Sequence, residues 1–89
     1  MSETILEEAA RLTSGDRDGT YGHPFSDYTR TAKLWSGILG VDVSAEEAIL
    51  CMIAVKMSRL CHTPGHHDSI VDIAGYARCY ERVTNERQL

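Results

Sequence analysis

No stretch of this chain is apolar for the roughly 20 residues that a bilayer-spanning helix requires, so a membrane role is not expected. Basic residues are also scarce. Nine Lys and Arg stand against 13 Asp and Glu, a net charge of −4, and the basic stripe needed to hold a nucleic acid polymer is missing. The three cysteines are odd in number and show no close pairing pattern. That argues against a disulfide framework and for a reducing compartment. The opening MSETILEEAA is acidic and lacks the basic-then-apolar order of a secretory leader, so the expected location is a cytoplasm. Alternating β patterns, internal repeats and low-complexity tracts are absent, and no nucleophile–base pair for acyl transfer is visible.

What remains is helical. With 89 residues the chain is read as a single domain, 1–89, with an ordered core over about 4–84. A domain of this size buries only about 60–65% of its unfolded surface, so self-association is expected. Thr4-Ile-Leu-Glu7 is a capping box that opens a first helix, striped by Ile5, Ala9 and Leu12 and stopped near Gly15. Asp16 to His23 reads as a loop rich in glycine and aspartate. Pro24 suits the first turn of a second helix, along which Phe25, Tyr28, Ala32, Trp35 and Leu39 recur at helical spacing up to Gly40. Ser44-Ala-Glu-Glu47 is a second capping box and starts a third helix that runs to His62. After the Thr63-Pro-Gly65 break, Asp68 or Ser69 caps a fourth helix reaching about Thr84, with Ile70, Ile73, Ala77 and Tyr80 as its inner stripe. The expectation is an all-α, compact four-helix domain packed into a homo-oligomer.

Lys56 stands out in this pattern. It falls in the apolar arc of the third helix, with Ile49, Met52, Ile53 and Leu60 on either side and Arg59 at the edge. A cation there is costly unless paired. Asp68 and Asp72, one turn apart on the next helix, are the candidate partners. Two carboxylates so spaced also suit a shared divalent cation, and Lys56 with Arg59 suits phosphate. Arg17, Tyr21 and His23 in the loop are placed to close over a ligand. His66 is placed to touch a phosphate, and Tyr76, one turn past Asp72, to reach a base or phosphate. Cys61, His62, His66 and His67 are zinc-ligand types at poor spacing for a closed site. Opposite Lys56, the third helix carries the small residues Cys51, Ala54, Ser58 and Cys61; these fit either close packing inside the fold or a subunit interface.

The blocks Gly15-Asp-Arg17, Tyr21-Gly-His-Pro24, Leu34-Trp-Ser36, Lys56-x-Ser-Arg-Leu60 and His66-x-Asp-Ser69-x-x-Asp72-Ile-Ala-Gly-Tyr76 resemble a family of short bacteriophage proteins of unknown function, common in phages of actinobacteria. A looser similarity runs to phage domains associated with nucleotide modification. Beyond these lie the MazG-like all-α nucleoside triphosphate pyrophosphohydrolases. That resemblance implies a nucleotide or other phosphate ligand and a Mg²⁺ ion held by acids of two helices. Here the acids would be Asp68 and Asp72 with Glu46 or Glu47. Lys56 and Arg59 would stabilise phosphoryl charge, with His23 and Arg17 closing the site. This chain departs from the enzymes in that its third helix offers acids only in its first turn, so the full four-acid cage is not evident. A nucleotide-sequestering protein without turnover and a protein that binds a host protein are the alternative expectations.

Overall fold

The computed structural model describes residues 2–88, apart from the side chains of Asp16 and Arg17. They form five helices: α1 (Ile5–Leu12), α2 (Asp16–Tyr21), α3 (Pro24–Leu39), α4 (Ala45–His62) and α5 (His67–Arg87). No strand occurs among the described residues. The all-α expectation holds, and the helix count is corrected from four to five.

The local signals act where the sequence places them. Thr4 and Ser44 each accept from the backbone N–H three residues on, while Glu7 and Glu47 reach back to the cap N–H at 2.9 Å. Each box satisfies two of the helix's otherwise orphaned N–H donors. His23 caps α3, its Nδ1 accepting from the Phe25 N–H at 3.0 Å, with Pro24 following in the first turn. Gly40 ends α3 at φ 73, a conformation that favours glycine because it has no Cβ.

Two local readings are corrected. The Asp16–His23 segment is not all loop, because Asp16–Tyr21 closes into a short helix. Gly15 and Gly22 take positive φ on either side of it, so they turn the chain into and out of it. Helix α5 begins at His67, with His66 rather than Asp68 or Ser69 at the cap. Ser69 is fully buried, and its Oγ lies 2.7 Å from His66 Nδ1. The helix also continues past Thr84 to Arg87, whose guanidinium forms a two-pronged pair with Glu46 at 2.7 and 3.0 Å and lies over the Phe25 ring.

Helix α5 is the axis of the fold, packing on α1, α3 and α4, while α3 also packs on α4 and α2 sits against α3. Pairs Glu46–Arg87 and Lys56–Asp72 show that α4 and α5 run antiparallel. The buried face of α5 is Val71, Gly75, Cys79 and Val83, a strict four-residue repeat. Ile70 and Ala77 of the expected stripe are exposed, and Ile73 and Tyr80 are half-buried. The stripe is rotated because α5 meets α1 as well as α4, and Gly75 faces Thr13 so closely that a Cβ would lie 3.2 Å from its Cγ2. Ala45, Ile49, Cys79 and Val83 form the main cluster, covered by Phe25, Tyr28, Ile53, Tyr76 and Tyr80.

The core is thin. On α3, Leu39 joins Leu34 and Ile38 in solvent rather than in the core. On α4, Leu50 and Met57 are exposed, as are Cys51, Ala54, Ser58 and Cys61. The small-residue face therefore does not pack inside this fold. No described helix is long and apolar enough to cross a membrane.

Candidate functional site

Lys56 is buried on α4 at 9% exposure and meets Asp72 across the α4–α5 seam, Nζ to Oδ2 at 2.9 Å. The apolar arc and the one-turn spacing of the acids explain this pair. Asp68 is not part of it; it lies exposed in the first turn of α5. Among the described residues, no buried side-chain nitrogen or oxygen lacks a hydrogen-bond partner, so the cation is accommodated.

Two hollows flank α5. One, of about 90 Å³, lies among Ala9, Thr13, Tyr28, Asp72, Gly75 and Tyr76. Its aromatic wall is an edge-on pair, Tyr28 and Tyr76, with ring centroids 6.5 Å apart. A hollow of that size holds a few waters, which is too little for a nucleotide. The other is an open recess of about 320 Å³ at the α4–α5 turn, lined by Ser58, Arg59, His62, Thr63 and His66. Its lining carries three nitrogenous side chains, two hydroxyls and no carboxylate. Arg59 presents five N–H donors, and each imidazole donates from at least one nitrogen. Because the Nδ1 of His66 is engaged with Ser69, its Nε2 is the nitrogen available to a ligand.

The expected site is thus divided. Arg59 and His66 come together in the recess, joined by His62, which lies one turn from Arg59. Lys56, Asp72 and Tyr76 belong to the seam and the smaller hollow. His23 is committed by its Nδ1 to the α3 cap. Tyr21 is half-exposed at the end of α2. The reading of Arg17 as a ligand contact lies outside the described side chains. The acids do not assemble: Glu46 pairs with Arg87, Glu47 closes the Ser44 box and Asp72 pairs with Lys56. Among the described residues no three His, Cys, Asp or Glu side chains converge as a metal group. Neither Asp68 and Asp72 with Glu46 or Glu47, nor Cys61, His62, His66 and His67, form such a group among the described residues. His67 turns instead to Glu8 of α1, Nε2 to Oε2 at 2.7 Å.

One cluster was not foreseen. Arg82 of α5 grips Asp18 of α2 with both terminal nitrogens, at 3.1 and 2.6 Å, and donates to the Thr13 carbonyl at 3.0 Å. Its guanidinium holds the Asp18 carboxyl below the ordinary carboxylate range, and Asp18 in turn raises Arg82. The clamp explains why a glycine-flanked segment folds as helix α2. With its partners 64 positions apart in the chain, no local spacing could have shown it.

Residues 4–84 match the family described as "Domain of unknown function (DUF6378)". The Gene 55 protein of Mycobacterium phage D29 is 45% identical over 86 residues, covering 97% of this chain and 57% of the relative. The Gene 55 protein of Mycobacterium phage L5 is 35% identical over 81 residues, covering 90% of this chain and 52% of the relative. The chain therefore spans about half the length of the curated relatives it matches. No solved structure matches it.

Proposed function

This chain belongs to the DUF6378 family, and from that premise we propose that it binds a phosphate-bearing small molecule of the nucleotide class in the recess at the α4–α5 turn. The observation that carries the reading is the meeting of Arg59, His62 and His66 around one carboxylate-free hollow of about 320 Å³. That volume falls at the lower end of small-molecule sites, about 300–1,000 Å³. Arg59 offers a fork matched to phosphate oxygens, and the first N–H groups of α5 start at the same turn. In their simplest role Arg59 and His62 complement the carbonyl end of α4. That role does not account for His66, which comes from beyond the break and joins them across the recess.

We read the ligand as bound rather than turned over. Hydrolysis between phosphates in the MazG-like manner needs clustered acids, and in this fold three of the four are engaged elsewhere along the α4–α5 pair. In the same reading the working unit is a homo-oligomer, supported by the exposed Leu50 and Met57.

The test is a thermal-shift titration with inorganic phosphate and with nucleoside mono-, di- and triphosphates, each with and without Mg²⁺. A ligand at tenfold its Kd stabilises the fold by about 1.4 kcal/mol, a shift of several degrees for a domain of this size. We expect a shift that needs no Mg²⁺ and disappears in the Arg59→Ala, His66→Ala double variant. No shift from any phosphate compound overturns the reading. Mg²⁺-dependent release of pyrophosphate overturns its non-catalytic part.

A further inference from the structure

The chain exposes more surface than its mass warrants. A monomeric protein of 9.9 kDa is expected to expose about 5,200 Å², whereas this one exposes 6047 Å². The excess, about 850 Å², is close to the roughly 800 Å² that each partner contributes to a standard stable interface. The radius of gyration agrees: 13.8 Å, against about 12 Å for a compact domain of this length.

The outer face of α4 is a candidate for part of that excess. Beyond Glu47 it carries no charge, and Leu50, Cys51, Ala54, Met57, Ser58 and Cys61 are all exposed on it. Their positions are symmetric about Ala54: Cys51 and Met57 three residues away, Leu50 and Ser58 four, Glu47 and Cys61 seven. We propose that a second copy of this chain covers this face, the two α4 helices running antiparallel across a two-fold axis at Ala54. A closed two-fold contact places each residue against its mirror position. In this register the large Leu50 meets the small Ser58 and the large Met57 meets Cys51. Ala54 meets itself, which lets the backbones approach. The N-terminal end of each helix, at Glu47, comes beside the C-terminal end of the other, at Cys61, so the helix dipoles oppose. The proposal deepens the homo-oligomer reading above and borders the phosphate recess only at Ser58.

Sedimentation equilibrium of the full chain, from low to high micromolar, tests it. The expected mass is twice 9.9 kDa. Ala54→Arg and Ala54→Glu each set like charges against one another at the axis. Each is expected to be monomeric with unchanged helical circular dichroism, because the site is exposed in the single chain. Mixed together, the two variants are expected to regain a dimer, since Arg then faces Glu. Maleimide labelling of Cys51 should slow as protein concentration rises. Neither variant alters Arg59, His62 or His66, so a thermal shift with phosphate compounds reports the recess separately. A monomeric parent chain means that something other than a second copy covers this face and overturns the proposal. A dimer unchanged by either substitution, or variants that stay monomeric when mixed, overturns the two-fold register.

Discussion

Lys56 shows how much a single residue conveys before any contact is known. A cation in an apolar arc must find a carboxylate, and Asp72 is that carboxylate. Asp72→Ala strands the ammonium and is expected to lower stability by about 1–3 kcal/mol in urea unfolding. Removing both charges, with Lys56→Met added, is expected to recover most of that loss. Asp18 behaves differently because its partner is remote in sequence. Its carboxyl is held low by Arg82, with further attraction from His23 and Arg78. A depressed folded-state value stabilises the fold above the ordinary carboxylate pKa, near 4, and that contribution is lost as pH falls through the lower folded value. Glu7 and Glu47 share the direction, each held low first by the cap N–H it accepts from, that of Thr4 or Ser44, and then by the cap hydroxyl. Acid titration of the melting temperature should therefore show a fall below about pH 4, shallower in Asp18→Asn than in the parent. An identical slope would remove Asp18 from the account.

At the scale of the element, helix starts were legible because capping is local. Thr4, Ser44, Pro24 and Gly40 act within four residues of themselves, so spacing alone reveals them. Gly40→Ala should cost about 1 kcal/mol, since the left-handed cap penalises a Cβ. The start of α5 and the nature of α2 were not legible, because tertiary partners set them. Ser69, a good cap by type, is drawn into the core and bonds to His66 instead, and α2 is held by Arg82 from the far end of the chain. The α1–α5 contact yields a sharper test. Thr13 is buried and donates to the Ala9 carbonyl at 2.7 Å, so its methyl cannot easily swing away from a new Cβ on Gly75. Gly75→Ala gains up to about 1 kcal/mol of helix propensity but incurs an overpacking cost of about 1–3 kcal/mol, so a net loss is expected. In a Thr13→Ser background the methyl is gone while the hydroxyl bond remains, and the same substitution should become stabilising. Thermal denaturation of the four proteins in this cycle decides it.

At the scale of the whole molecule the core is small and the surface large, so stability is expected to depend on concentration. If the α4 face closes on a second copy, the melting midpoint rises with protein concentration by mass action, and Ala54→Arg abolishes that dependence. Differential scanning calorimetry at several concentrations reads it directly. Sequence by itself determined the all-α class, most helix starts and the burial of Lys56 against an acid of the next helix. Each rests on periodicity or on partners close along the chain, and such forces act wherever the segment lies. Tertiary structure alone decided which face of α5 is buried, that Arg82 clamps α2, and that the acids part rather than gather. It also decided that the small-residue face of α4 is left open. Those outcomes depend on which helices meet, and that is set by packing across the whole chain rather than by any one segment of it.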